Sequence, residues 1–218
     1  MTRHRLLPAL ATPLLVLGLA ACGGEDDTAT DSGSGCSYVE SGAAAKEVDL
    51  PDPADTPSGQ VDATMSTSIG DLGLTLDADA APCTVGSFVS LAEQGYYDDT
   101  SCHRMTVPDG FQVLQCGDPT GTGSGGPGYT YADELTGDET YPAGTLAMAN
   151  AGPDTNGSQF FIVYGDTQLS PDYTVFGTVD AAGVAAVTKA ARAGVDDANG
   201  PGDGHPKTPV DISGVTVS

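Results

Sequence analysis

Beyond residue 22 the chain holds two arginines, Arg104 and Arg192. Arg104 closes the run Cys102-His103-Arg104, and Gln115 follows it in Leu114-Gln115-Cys116-Gly117-Asp118. A guanidinium is a permanent cation with five donors, and an amide offers both donors and an acceptor. Further on, Met148 to Phe161 reads M-A-N-A-G-P-D-T-N-G-S-Q-F-F. A core strand rarely carries so many small, polar and turn-forming residues, and a surface loop rarely ends on two adjacent phenylalanines. The run therefore reads as the wall of a binding cleft. Its parts are an extended backbone at Ala149–Asn150, a Gly/Pro/Asn turn, and a strand opened by Gln159, Phe160 and Phe161. No Cys-x-x-Cys is present and the three histidines do not fall at ligand spacing, so neither a metal nor another cofactor is expected.

These segments, with Val175-Phe176-Gly177 downstream, resemble the cyclophilin family of peptidyl-prolyl cis–trans isomerases, in family order over roughly residues 61 to 218. The resemblance implies a mainly β fold: a closed eight-stranded antiparallel barrel capped by two α-helices. It implies Arg104 and Gln115 as catalytic residues. It also implies a substrate site of Phe111, Val113, Ala149, Asn150, Gln159, Phe161, Leu169 and Tyr173, with Phe161 as the floor of a proline pocket and Leu169 as its wall. Ala149 and Asn150 match the backbone that hydrogen-bonds an extended peptide. The chain departs from the family pattern in three places. Met105 to Gly110 makes the stretch between Arg104 and Gln115 longer than usual, and the pocket phenylalanine, Phe111, sits one place early. Tyr173 stands where many members have histidine. Gln168 stands at the family's tryptophan, and the chain has no Trp.

Prolyl isomerisation needs no nucleophile, metal or general base. The barrier of about 18–20 kcal/mol is the resonance of the peptide C–N bond, and the cis and trans forms of X–Pro are nearly balanced. As the bond twists, the prolyl nitrogen gains a lone pair. A guanidinium donating to that nitrogen is bound more strongly in the twisted state than in the planar one, which is the condition for rate enhancement. Arg104 is the candidate donor. His103, its neighbour, is expected on the far side of the strand, since adjacent strand residues face opposite ways.

The elements that must position these residues follow from periodicity. Val61, Ala63, Met65 and Thr67 alternate, Ile69 to Gly73 reads as a hairpin turn, and Leu72, Leu74 and Leu76 alternate again. Thr84 to Gln94 has helical spacing, with Val85, Phe88, Val89, Leu91 and Ala92 as its stripe, Thr84 as cap and Gly95 as stop. A second helix is expected from Asp180 to about Ala193, with Val184, Ala185, Val187, Thr188 and Ala191 facing inward and Gly194 at its end. Two further patterns carry no chemistry. Gly121 to Gly126 fits G-x-G-x-x-G, but Pro127-Gly128 follows where a phosphate site needs a helix. Asp196-Asp197-Ala198-Asn199-Gly200 hints at calcium, but no Glu closes a twelve-residue loop, so it reads as a solvated turn.

Thirty Asp and Glu stand against seven Lys and Arg, a formal net charge of −23, and such a surface repels nucleic acid and anionic lipid. Met1 to Arg5 is basic and Leu6 to Ala21 is apolar, interrupted by Pro8 and Pro13. That run is shorter than the roughly 20 residues that span a bilayer. It closes on Leu19-Ala20-Ala21-Cys22, which resembles a bacterial lipobox. Residues 1–21 are thus expected as a lipoprotein signal peptide and Cys22 as the lipidated residue, anchoring the protein on the extracytoplasmic face of the cell membrane. Residues 22–60 read as a flexible acidic Gly/Ser/Pro tether, with Cys36 and Tyr38 as exceptions that could dock its far end. Residues 61–218 form the globular domain, expected as a monomer.

Four cysteines remain, and in an exported protein three disulfide connectivities are open to them. The cyclophilin layout implies Cys83–Cys102, leaving Cys36 to Cys116. The expected partners are proline-containing peptides and unfolded exported proteins. A non-catalytic proline-peptide-binding module or holdase would use the same cleft.

Overall fold

The computed structural model describes residues 35–218. The expected signal peptide, Cys22 and the first part of the expected tether lie outside the described residues. The strands are β1 (Val39–Glu40), β2 (Gln60–Thr67), β3 (Gly70–Asp77), β4 (Thr100–Ser101), β5 (Arg104–Thr106), β6 (Val113–Cys116), β7 (Tyr129–Thr130), β8 (Thr145–Met148), β9 (Phe160–Val163), β10 (Val175–Val179), β11 (Asp203–Gly204) and β12 (Asp211–Val217). Two α-helices, α1 (Pro82–Glu93) and α2 (Ala181–Ala191), complete the fold. Among the described residues no helix is long and apolar enough to cross a membrane.

Ten strands form one antiparallel sheet in the order β11-β5-β6-β9-β8-β10-β3-β2-β12-β4, while β1 pairs with β7. The mainly β, two-helix architecture stands, but the eight-stranded closed barrel is corrected: the sheet has ten strands, and no ladder joins its ends. The reason lies at Cys102-His103. Thr100–Ser101 pairs with β12, and Arg104–Thr106, two residues on, pairs with β6 at the other end of the order. One chain segment thus serves both ends of the sheet and is interrupted between them, where the Cys102 N–H donates to the Val210 carbonyl at 2.8 Å.

Alternation does what a period of two dictates. Ala63 and Met65 on β2 and Leu72, Leu74 and Leu76 on β3 are buried in one main core with Phe88, Tyr97, Phe160 and Phe176. The β2–β3 hairpin turns at Ser68-Ile69, with Thr67 opposite Gly70, so Asp71 to Gly73 already belong to the strand. The same alternation splits β6, β8 and β9. Leu114, Leu146, Phe160 and Ile162 enter the main core, while Val113, Ala147, Phe161 and Val163 form a second, smaller apolar cluster with Tyr141. Adjacent Phe160 and Phe161 therefore serve different cores.

The expected α1 stripe is observed, but its cap is not Thr84. Ala81 occupies the cap position without a side-chain bond. The Glu134 carboxylate accepts instead from the backbone N–H groups of Cys83 (2.9 Å) and Thr84 (2.8 Å) and from the Thr84 hydroxyl (2.7 Å). An anion at a helix N-terminus satisfies free donors and complements the helix dipole. Asp180 caps α2, accepting from Gly183 N–H at 2.7 Å. The buried face of α2 is Gly183, Val187 and Ala190, not one containing Ala185, which is exposed. A Cβ on Gly183 would lie 2.7 Å from Val179 Cγ1, so the glycine permits this close approach of helix to strand.

The disulfides are Cys36–Cys83 and Cys102–Cys116. This corrects the pairing implied by the resemblance. Cys102 ends up beside β6, which carries Cys116, while Cys83 at the start of α1 faces the N-terminal segment. The far end of the expected tether is attached to the domain. Tyr38 donates to the Cys83 carbonyl at 2.7 Å and stacks edge-on against Tyr129 and Tyr131. Lys46 donates to the carbonyls of Gly95 and Asp98 just beyond α1.

Candidate active site

The β5–β6 ladder sets Arg104 directly opposite Gln115, and the β6–β9 ladder sets Gln115 opposite Phe161. Cross-strand pairs on one face lie within side-chain reach, so three strands bring a cation, an amide and an aromatic ring into one row. With Phe111, Val113, Ala149, Asn150, Leu169 and Tyr173 they line a pocket of about 130 Å³, room for one small ring. Of the ten site residues expected from the sequence, nine line it. The tenth, Gln159, lies immediately beside it.

Gln159 and Gln115 form a relay. Gln115 Nε2 donates to Gln159 Oε1 at 2.8 Å, and Gln159 Nε2 donates to the carbonyls of Gly123 (3.0 Å) and Gly125 (2.9 Å). This fixes which end of the Gln115 amide faces Arg104: its Oε1 lies 3.3 Å from Arg104 Nη1. The glycine-rich loop thus braces Gln115 through Gln159, and it lines an adjoining cavity with Gln115, Ala149 and Asn150. It is held by Asp118, whose carboxylate accepts from the N–H groups of Thr120, Gly123 and Gly125. Burial raises the Asp118 pKa, but a bond from the Thr120 hydroxyl together with those backbone bonds outweighs it and keeps the carboxyl below the usual carboxylate range.

The lengthened stretch after Arg104 is a turn. Phe111 N–H donates to the Pro108 carbonyl at 3.0 Å, and Gln112 N–H to Thr167 Oγ1 at 3.0 Å. The turn absorbs the extra residues and delivers Phe111 to the pocket, with the Arg104 Cζ 5.6 Å from its ring centroid. On the opposite wall Tyr173 stands edge-on to Phe161, with centroids 5.5 Å apart. Asn150 is braced by its Nδ2, which donates to the Asp172 carbonyl at 2.8 Å, and Ala149 N–H donates to the Gln159 carbonyl at 3.0 Å. His103 is buried, and its burial lowers its pKa, but it is not on the far side of the strand: it precedes β5 and lines a neighbouring cavity together with Arg104 and Gln115.

Two residues of the site carry no local signal. Tyr141 is buried behind Phe161. Its hydroxyl donates to the Tyr173 carbonyl and accepts from the Tyr173 N–H, both at 3.1 Å, which locks that wall. Asp203 grips Arg104 with both carboxylate oxygens: Nε to Oδ1 at 2.8 Å and Nη2 to Oδ2 at 2.7 Å. The hydrogen bonds from Arg104 hold the Asp203 carboxyl below its ordinary pKa. Asp203 lies just past the acidic turn read as a solvated loop, and only the β5–β11 ladder reveals the connection. Among the described residues no cluster of His, Cys, Asp or Glu could hold a metal ion.

The chain has known relatives. The family model for cyclophilin type peptidyl-prolyl cis-trans isomerases matches residues 62–217. The chain is 49% identical over 200 residues to the probable peptidyl-prolyl cis-trans isomerase B of Mycobacterium tuberculosis, an alignment covering 85% of this chain and 64% of that protein. It is 41% identical over 184 residues to the peptidyl-prolyl cis-trans isomerase A of the same organism, covering 75% of this chain and 95% of that one. Among solved structures, a cyclophilin type isomerase of Cryptosporidium parvum superposes with a TM-score of 0.63 at 30% identity, covering 73% of this chain and 98% of that one. The same parasite protein was also crystallised in the presence of the dipeptide Ala-Pro, and that structure aligns with a TM-score of 0.62. The chain belongs to the cyclophilin-type peptidyl-prolyl cis-trans isomerase family.

Proposed function

We propose that this protein is a peptidyl-prolyl cis–trans isomerase acting on X–Pro bonds of exported or unfolded proteins. The observation that carries the proposal is the row Arg104–Gln115–Phe161. An apolar floor for a proline ring lies two cross-strand steps, through Gln115, from a clamped guanidinium whose Nη1 faces Gln115 in the same pocket lining. Phe161, Leu169 and Tyr173 hold the ring. Ala149 and Asn150 take the backbone of an extended peptide. Arg104 donates to the prolyl nitrogen as the bond twists, and Gln115 orients Arg104 or takes the substrate carbonyl. The proposal also places the protein at the extracytoplasmic face of the membrane, held by acyl chains on Cys22 and separated from the surface by the segment before Cys36, as a monomer. The lipobox-like Leu19-Ala20-Ala21-Cys22 supports this.

A protease-coupled assay on an X–Pro peptide tests the activity. The unmodified protein accelerates isomerisation, and folded Arg104→Ala loses about tenfold or more in kcat/KM. Equal activity of the two would falsify the role of Arg104. Peptide binding without acceleration in the unmodified protein would identify a holdase instead. For the anchor, mass spectrometry of the membrane fraction finds a mature chain beginning at acylated Cys22. A Cys22→Ser chain that stays membrane-bound removes that part of the proposal.

A further inference from the structure

Beyond the pocket lining, the contact of most consequence for catalysis is the one that holds Arg104 from outside. A free arginine side chain samples many rotamers, and its guanidinium can present any of several N–H groups. Here the choice is made in advance. Asp203 Oδ1 takes the Nε–H at 2.8 Å and Oδ2 takes an Nη2–H at 2.7 Å. The Phe111 ring lies 5.6 Å from Cζ. What remains is Nη1, turned towards Gln115, which lines the pocket with Arg104.

We propose that Asp203 is a positioning residue for isomerisation, clamping Arg104 so that Nη1 is the nitrogen presented to the twisting prolyl amide. The inference rests on the reading of Arg104 as the donor. Asp203 is itself held firmly. It pairs with Thr106 in the β11–β5 ladder, its N–H donates to the Gly200 carbonyl at 2.9 Å, and its carbonyl accepts from Asn199 N–H at 3.0 Å. Asn199 Nδ2 donates to Oδ1 at 3.2 Å. The turn that carries it is fastened to the turn before Phe111: Val107 N–H donates to the Gly202 carbonyl at 2.9 Å, and a Cβ on Gly202 would lie 2.9 Å from Pro108 Cγ. The acidic 196–203 segment thus acquires a role as the platform of the clamp.

Two effects of the carboxylate oppose each other. Its charge offsets the field of the guanidinium, and its two bonds fix the guanidinium plane. The side chains of Arg104 and Asp203 are 32% and 21% exposed, so water weakens the first effect. The second acts through a short, angle-dependent hydrogen bond, where misplacement is costly. Orientation therefore dominates, and removing the carboxylate slows the reaction. Asp203 does not line the proline pocket. The loss should therefore fall on kcat, with KM little changed.

The test compares Asp203→Ala and Asp203→Asn with the unmodified protein, using line-shape or exchange NMR on an X–Pro peptide to separate kcat from KM. Asp203→Ala is expected to lose about tenfold in kcat with KM within about twofold, and Asp203→Asn, which keeps one acceptor oxygen, to lose less. Unchanged or increased kcat in folded Asp203→Ala overturns the proposal. A measurement on the unmodified protein does not depend on how the variants fold. In arginine side-chain NMR, assigned by Arg104→Lys, the Arg104 Nε–H should exchange with solvent at least about tenfold more slowly than that of Arg192. Equal exchange rates overturn the clamp. If Arg104→Ala is inactive while Asp203→Ala is fully active, this inference alone fails. If Arg104→Ala is fully active, the reading of the site fails with it.

Discussion

The most discriminating perturbation of the site is Arg104→Lys, because it keeps the charge and removes the fork. Arg104 performs two tasks at once. Nε and Nη2 bind Asp203 at 2.8 and 2.7 Å, and Nη1 faces Gln115, which lines the pocket with Arg104. A lysine has one ammonium. It can pair with Asp203 as a point charge or reach towards the prolyl nitrogen, but it has no planar fork with which to do both. The pull of the carboxylate decides for the first. What the twisted state then loses is one charge-assisted hydrogen bond, about 1.5–3 kcal/mol when fully formed. The Arg104 side chain is 32% exposed, so solvent screening argues for the lower part of that range. A loss of about 1.5–2 kcal/mol corresponds to roughly 10- to 30-fold in kcat/KM. The assay is protease-coupled turnover of an X–Pro peptide, with near-ultraviolet circular dichroism to verify the fold. Arg104→Lys is expected to resemble Arg104→Ala far more than the unmodified protein. Activity within twofold of the unmodified protein would show that any nearby cation suffices, and the argument from directed donation would fall.

Three further outcomes follow from the structure. Thiol titration of the denatured, unreduced protein should find the four cysteines of the described residues oxidised. By loop-closure entropy the Cys36→Ser/Cys83→Ser chain should lose up to about 4 kcal/mol and Cys102→Ser/Cys116→Ser about 3 kcal/mol. Peptide mapping that recovers Cys83 linked to Cys102 contradicts the pairing. Glu134→Ala should cost about 1–2 kcal/mol in denaturant unfolding, because it strips three hydrogen bonds from the start of α1. An unchanged midpoint means that water replaces them without loss. Gln168 is exposed and does not line the proline pocket, so cyclosporin, which many cyclophilins bind through a tryptophan at this place, should bind weakly while catalysis persists. Gln168→Trp should tighten the drug by about 2 kcal/mol with little change in kcat/KM, and tight binding by the unmodified protein in an inhibition titration refutes this.

What could be read from the chain alone was local. The alternation of Ala63 and Met65, and of Leu72, Leu74 and Leu76, named the buried faces of β2 and β3, because side chains on a strand repeat every second residue whatever lies beyond it. The stripe of α1 and the stop at Gly95 were legible for the same reason at the helical period. Phe161, Ala149 and Asn150 were legible as a cleft wall because their segment suits neither a core strand nor a surface loop. What the tertiary structure decided was the identity of partners far apart in sequence. Thr84 is a good cap by type, yet the α1 terminus is taken by Glu134, because a loop fifty residues away carries a carboxylate into it. Four cysteines permit three pairings, and only the placement of β6 beside Cys102 and of the N-terminal segment beside α1 selects one. Ala185 was expected inward on α2, but the helix turns Gly183, Val187 and Ala190 to the sheet, because glycine lets it sit closest there. Asp203 looked like one acidic residue among many, and it becomes the partner of Arg104 only when β11 pairs with β5. A residue's type and local period are properties of a few neighbours along the chain. Which charge meets which is set by the sheet order, and that order is the outcome of packing the whole domain at once.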